Sequence, residues 1–319
     1  MRFPSVARFA VVLGAAVALV AGCTKDGTSD QPVAADSWSY TTGYGNTIAL
    51  DTAPKRIVVD SYSAAALWDY GIRPVGIFGY GHTDGQSTGT ADLSSMTVVG
   101  TDGEMNIEAL VALEPDVVIG YGGEDPSSWA FWDKPTAEKV NSIAPFVSVK
   151  YNDAHTPAVL AEYRNLAAAL GADTDGGTAR ADRDRFDAGS DRIRRAVIAK
   201  SGITMLPLSG DASTLYAATT KVAQLAYLQE LGVTIAGPSS EEGWPVLSWE
   251  QVMTYPADIV MQYVKSRESL SDAPIFARLP AVVAGQVVVW DDKRPNTYAN
   301  YAQWFDELAT SIENARKIA

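Results

Sequence analysis

Cysteine occurs once in the 319-residue chain, at Cys23, and histidine twice, at His82 and His155. A single thiol excludes an internal disulfide framework. Two histidines leave a bare Zn²⁺ or Mn²⁺ cargo short of ligands, because such sites draw on several imidazoles with a carboxylate. Basic residues are also scarce: 25 Lys and Arg stand against 38 Asp and Glu, for a formal net charge of −13. That balance argues against a nucleic-acid or anionic-membrane binder, since both need basic patches. No Walker loop, Gly-x-Gly-x-x-Gly fingerprint or His-Glu-x-x-His pair occurs. The string Gly85-Gln-Ser-Thr-Gly89 matches the hydrolase nucleophile elbow, which needs a strand directly before the serine and a helix directly after it. Polar, glycine-rich sequence flanks Ser87 on both sides instead. An enzyme on an α/β scaffold is thus an alternative without a motif behind it.

Long apolar runs are absent after the first two dozen residues. Arg2 and Arg8 precede an apolar stretch from Phe9 to Ala21. It is too short for a span of about 20 residues and the right length for a signal-peptide core. Leu19-Val-Ala-Gly-Cys23 resembles the bacterial lipobox. The resemblance implies cleavage before Cys23, a diacylglyceryl group on its thiol, and a place on the extracytoplasmic face of the cell membrane, as in Gram-positive bacteria. An ordinary secretory signal is the alternative. From Thr24 to Asp36 the chain is small, polar and aperiodic, a composition that buries too little apolar surface to fold and suits a tether.

Beyond it, short β-branched runs alternate with helical stretches. Arg56–Asp60, Pro74–Phe78, Asp116–Ile119 and Phe146–Val149 read as strands, with helices at Ala64–Tyr70, Ile107–Glu114, Thr136–Ile143 and Pro157–Leu170. From about Gly177 to Lys200, charges of both signs interleave as on an exposed helix. The strand–helix pattern then resumes with Ile203–Leu208, Val222–Leu231, Asp258–Met261 and Val287–Trp290, and Asn300–Ala319 reads as a closing helix. The expected fold is α/β: two Rossmann-like lobes with mainly parallel sheets, joined by one long bridging helix, with a ligand cleft between them. The expected segments are a signal peptide at 1–22, a lipid-anchored tether at 23–37, an N-terminal lobe at 38–173, the bridge at 174–200 and a C-terminal lobe at 201–319.

Several motifs occur in a telling order: Arg56-Ile-Val-Val; Gly71-Ile-Arg-Pro-Val-Gly76; Asn106-Ile-Glu-Ala-Leu-Val-Ala-Leu-Glu-Pro-Asp-Val-Val-Ile119; Leu247-Ser-Trp-Glu-Gln-Val252; and Leu279-Pro-Ala-Val-Val-Ala-Gly-Gln-Val287. Together, over nearly the whole chain from Pro54, they resemble the ABC-importer binding proteins for siderophores, haem and cobalamin. The resemblance implies a binding protein without catalysis or a cofactor of its own. It also implies a single iron chelate as cargo, a monomer, and partners in an ABC permease dimer and its ATPase. Glu108 and Glu250 stand at the positions where that family docks its lobes onto permease arginines. Charge compensation at the first turn of a helix is the alternative reading of both.

In such a fold the ligand sits outside the carboxyl ends of the strands. The resemblance places Tyr80, Tyr121 and Trp244 as aromatic ligand contacts. Tyr62 and Tyr216 also follow predicted strands, and Trp129 and Trp132 belong to the aromatic loop Tyr121–Asp133. Arg294, with Tyr298 just beyond, is the cationic candidate. A guanidinium binds hydroxamate or carboxylate oxygens around a ferric centre, and a salt bridge to Asp291 or Asp292 is its alternative. A tricatecholate complex needs several cations, of which only Lys150, Lys221, Lys293 and Arg294 fall near the expected rims. A hydroxamate-type ferric siderophore fits better. Cobalamin or haem in the same role stays open, as does a cell-wall interaction protein that lost transport.

Overall fold

The computed structural model describes residues 37–319 apart from 84, 152 and 153. The signal peptide, Cys23 and all but the last residue of the expected tether lie outside the described residues. Among those described, no helix is long and apolar enough to cross a membrane.

An antiparallel hairpin comes first, β1 (Trp38–Thr41) and β2 (Thr47–Leu50). There follow β3 (Ile57–Asp60), α1 (Ser61–Asp69), β4 (Gly76–Phe78), β5 (Thr97–Val98), the small hairpin β6 (Gly100–Thr101) and β7 (Glu104–Met105), α2 (Ile107–Ala112), β8 (Val117–Gly122), α3 (Lys134–Ile143), β9 (Phe146–Lys150) and α4 (Thr156–Ala169). Five strands form a wholly parallel sheet in the order β5-β4-β3-β8-β9. Neighbouring residues on a strand face opposite sides, and both faces are covered. Val59, Ile119 and Val147 pack with Tyr163 and Leu166 of α4, whereas Val58, Val118 and Phe146 pack with Leu110 of α2 and Val140 of α3.

The long helix α5 (Gly177–Ala199) leads to the second sheet. Its elements are β10 (Ile203–Gly210), β11 (Leu215–Ala217), α6 (Ala223–Glu230), β12 (Val233–Ile235), β13 (Val246–Leu247), α7 (Trp249–Val252), β14 (Ile259–Tyr263), α8 (Arg267–Ser271), α9 (Pro280–Val283), β15 (Val287–Trp290) and α10 (Tyr298–Asn314). Strand β10 pairs in parallel with β12 and β14, and β14 with β15, while β11 and β13 add antiparallel partners. The architecture is therefore two α/β lobes with mainly parallel sheets. In each, the chain leaves a central strand in one direction and later returns to its other side, between β3 and β8 and between β10 and β14. That reversal opens a crevice at the carboxyl ends of those strands.

Helix α5 is less exposed than its charges suggest. Phe186, Ile193, Ala196 and Val197 are buried with Phe305, Leu308 and Ile312 of α10, and Gly189 allows the close approach, since a Cβ there would lie 3.0 Å from Phe305 Cβ. The charges occupy the outer face, where Arg192 holds Glu313 at 2.7 Å. The closing helix also differs from expectation. It starts at Tyr298, where Thr297 caps it by accepting from Asn300 N at 3.1 Å, and it stops at Asn314. The tail is drawn away by the buried carboxylate of Asp258. Its Oδ1 accepts from Ile318 N (2.7 Å) and Ala319 N (3.0 Å), and its Oδ2 from Thr204 N (2.9 Å) and Lys317 Nζ (2.9 Å).

Candidate functional site

A cavity of about 850 Å³ opens between the two sheets. Its N-terminal wall is aromatic and rises from the ends of β3 and β8. Tyr62, in the first turn of α1, stands 6.1 Å from Tyr121 of β8, ring centre to ring centre. Tyr121 in turn lies 4.4 Å from Tyr151 and 5.8 Å from Phe131. Tyr44, at the turn of the first hairpin, completes this wall. It donates to Gly122 O at 2.8 Å, and Lys150 Nζ sits 5.7 Å over its ring.

One buried carboxylate organises the wall from behind. Asp60 ends β3 and caps α1, its Oδ1 accepting from Ser63 N at 2.8 Å. Its Oδ2 accepts from Tyr121 N at 2.7 Å and from Trp129 Nε1 at 2.9 Å. Burial pushes its carboxyl above the usual aspartate range, against the pull of these bonds. Trp129 then backs Tyr80, with ring centres 5.9 Å apart. Gly120 is forced by the same crowding, as a Cβ there would come 3.0 Å from the Trp129 ring.

The opposite wall comes from the C-terminal lobe. Trp244 stacks on Trp290 at 5.4 Å and meets the edge of Tyr263 at 5.6 Å. Its indole donates to Asp292 Oδ2 at 2.9 Å. Burial raises the Asp292 carboxyl, and neighbouring Asp291 raises it further. Gln224 bridges Asp292 O (2.9 Å) and Tyr301 Oη (3.0 Å), and burial holds the Tyr301 phenol up at about 12. Burial likewise lifts Tyr44 to about 12 and raises Tyr62, Tyr121 and Tyr151 on the cavity and Tyr263 beside it, so every phenol lining the cavity is neutral at physiological pH. Three lysines, Lys150, Lys221 and Lys293, face three carboxylates, Glu124, Glu241 and Asp292; Lys221 pairs with Glu241 at 2.7 Å. The lobes touch where Gln86 Nε2 donates to Asp291 Oδ1 at 2.8 Å and, on the cavity lining, where Asn296 Nδ2 donates to Tyr151 Oη.

Of the aromatic residues singled out from sequence, Tyr62, Tyr121 and Trp244 line the cavity. Tyr80 sits behind Phe131, 5.1 Å ring to ring, with Lys293 Nζ 5.7 Å over its face. Trp129 and Trp132 do not face the cleft. Both are buried in the core, Trp129 tied to Asp60 and Trp132 stacked 5.1 Å from Phe78. Tyr216 lies on β11 between β10 and β13, away from the cavity. Arg294 also turns away. Its guanidinium lies 4.1 Å over Trp304 and bonds Asn300 Oδ1 (3.1 Å) and Asp291 O (3.3 Å), making neither a cavity contact nor the considered salt bridge. Tyr298 packs on Phe186 and lines a separate hollow of about 220 Å³ with Tyr70 and Asp69.

Glu108 and Glu250 are exposed in the first turns of α2 and α7, capped by Asn106 and Ser248. His82 is buried, with Nδ1 2.7 Å from Gly79 O. Ser87 lies in a run of turns, well past the end of β4 at Phe78 rather than directly after a strand. Sequence reasoning passed over Tyr44, Phe131, Gln224 and Tyr301. A post-strand rule sees neither a hairpin tip nor a residue reaching back from a helix; Lys150, Lys221 and Lys293 did carry a signal, as the cations nearest the expected rims.

Known proteins resemble this chain. A ferric-siderophore receptor protein, DesE from Streptomyces coelicolor, is 32% identical and superposes with a TM-score of 0.79, covering 88% of this chain and 100% of its own. The Fe(3+)-citrate-binding protein YfmC of Bacillus subtilis (strain 168) is 24% identical over 290 residues, 86% of each chain. The triscatecholate siderophore binding protein FeuA from Bacillus subtilis, 13% identical with a TM-score of 0.65 over 86% of this chain and 97% of its own, shares the fold. The family model described as periplasmic binding protein matches residues 57–294, and on that match the chain belongs to the periplasmic binding protein family.

Proposed function

We propose that the protein captures a ferric siderophore, of hydroxamate type, outside the cytoplasm and delivers it to an ABC importer. The cavity carries this reading. It is broad, walled by neutral phenols and indoles, and balanced in charge, three lysines against three carboxylates. Aromatic walls supply rigid apolar surface with polar tips that reach chelate oxygens. A tricatecholate complex, strongly anionic, would meet too little net positive charge here. The likeness to a ferric-siderophore receptor protein at 32% identity supports the cargo class. In this reading Cys23 carries the lipid that holds the protein at the membrane, and Glu108 and Glu250 dock the lobes onto a permease dimer driven by its ATPase. In this reading the cargo is handed on unchanged.

The test is a fluorescence titration of the chain starting after Cys23, which retains all 8 Trp, against a ferric trihydroxamate, a ferric tricatecholate, ferric citrate, haem and cobalamin. Saturable quenching by the trihydroxamate at the lowest concentration, weakened in Trp244→Ala and Tyr121→Ala, is the expected result. Tightest binding of ferric citrate or the tricatecholate would keep the iron-chelate role and overturn the hydroxamate assignment. Saturation by haem or cobalamin alone would change the cargo class. No response to any of them would sink the transport reading and favour a wall-interaction role.

A further inference from the structure

The cavity holds one carboxylate whose bonding is incomplete. Asp292 lines it, two residues beyond the end of β15. Its Oδ2 is taken by the Trp244 indole, and the Tyr263 phenol faces the same carboxyl, yet the buried Oδ1 has no hydrogen-bond partner within 3.5 Å. The nearest cation does not close the gap. Lys293 is the next residue, but its ammonium is turned onto the face of Tyr80, and among the described residues no lysine or arginine forms an ion pair with Asp292. A buried carboxylate oxygen without a donor is costly, so this wall is set to accept one.

The surroundings say what kind of donor. Trp244, Tyr263 and Trp290 stand together beside Asp292, with ring centres 5.4 to 6.4 Å apart. Tyr62, Tyr121 and Tyr263 all feel the negative charge of Asp292. Aromatic faces next to a carboxylate attract a cation through the ring quadrupole and the full charge together. A neutral amide or hydroxyl would satisfy the hydrogen bond but leave the buried charge unmatched. A guanidinium is a broad, rigid fork, whereas a single free oxygen beside an indole suits the compact point charge of an ammonium.

Resting on the siderophore reading above, we propose that Asp292, Trp244 and Tyr263 form a subsite for a protonated amine carried by the cargo. The protein therefore selects ferric chelates bearing a free ammonium arm over the same chelates with that arm acylated. The iron-binding groups would lie against the tyrosines of the N-terminal wall, and the arm would reach the C-terminal lobe.

Two ferric trihydroxamates that differ only in a terminal primary amine, free in one and acetylated in the other, decide this in titrations of the chain starting after Cys23. The free amine should bind about tenfold tighter or more, the range of a buried hydrogen bond to a charged group. Asp292→Asn should bring the two within about twofold by weakening the free amine alone, since it removes the charge and keeps an acceptor for Trp244. Equal binding of the two chelates by the wild-type protein overturns the subsite and leaves the siderophore reading standing. So does a preference that survives in Asp292→Asn. Should that variant not fold, the wild-type pair still decides. Failure of both chelates to bind a folded wild-type protein overturns the siderophore reading and the subsite with it.

Discussion

Replacing Asp60 by asparagine is the most informative single change in the N-terminal wall. The carboxylate satisfies three donors, Ser63 N, Tyr121 N and Trp129 Nε1. An amide has one acceptor oxygen, so in either orientation its NH₂ group meets at least one of those N–H groups. If the oxygen keeps the two bonds of Oδ2, the cap of α1 is lost, worth about 1 kcal/mol. The surviving bonds also lose their charge assistance and weaken by about half. Relief of burying a charge offsets part of this, leaving a net destabilisation of about 3 kcal/mol. Urea unfolding followed by circular dichroism would read it as a lower midpoint at unchanged slope.

The pH dependence supplies a second check on Asp60. Burial raises its folded pKa above the unfolded value. The wild-type protein therefore loses stability from this group as pH rises from the ordinary aspartate value to the folded one, and the asparagine variant lacks that slope. Trp129→Phe removes one of the same donors, so the two changes should be non-additive. A loss below about 0.5 kcal/mol in Asp60→Asn, within the range of an inert surface change, would refute the reasoning by showing that no ionised carboxylate holds the wall.

Tyr121→Ala and Trp244→Ala should each weaken ferric-chelate binding by about 10- to 100-fold, the usual cost of truncating a buried aromatic contact. Trp132→Phe, in the core behind the wall, should leave affinity within about threefold in the same titration. Glu108→Ala combined with Glu250→Ala should leave affinity in solution unchanged and abolish chelate uptake by cells; intact uptake would remove both from docking. Asp258→Ala should cost about 3 kcal/mol in urea unfolding, because four donors lose a buried acceptor. Burial of Asp258 disfavours its charge, yet its hydrogen bonds outweigh that and hold the carboxyl below the usual aspartate value. Its contribution is full above the unfolded pKa and fades as pH falls through the lower folded one, so a Tm-against-pH profile should be flatter on the acid side in Asp258→Asn.

The alternation of β-branched runs with helical stretches was enough to read two α/β lobes, because strands such as Ile57–Asp60 and Val117–Gly122 are buried on both faces and so carry unbroken apolar runs. The same logic put Tyr62, Tyr121 and Trp244 at the cavity, since strand ends face the crevice. It misplaced Trp129 and Trp132, for nothing in the run Tyr121–Asp133 shows that Asp60, some seventy residues earlier, pulls the loop back into the core. Arg294 was misread for a related reason. Its partners Trp304 and Asn300 sit on a helix that passes beneath it only in three dimensions. Tyr44 escaped notice because its two four-residue strands are too short for a pattern and pair only with each other.

The seat of Tyr44 bears on how such a cavity changes over generations. The tyrosine ring rests on Gly122, where a Cβ would come 2.6 Å from its edge and 2.7 Å from Ser148 Cβ. A single added methyl at position 122 would push Tyr44 and the hairpin tip off β8, widening the mouth of the site by displacing one tyrosine of its wall. Mutational drift at one glycine thus offers descendants of this chain a route to bulkier chelates, with Tyr62, Tyr121 and Tyr151 of the wall left in place.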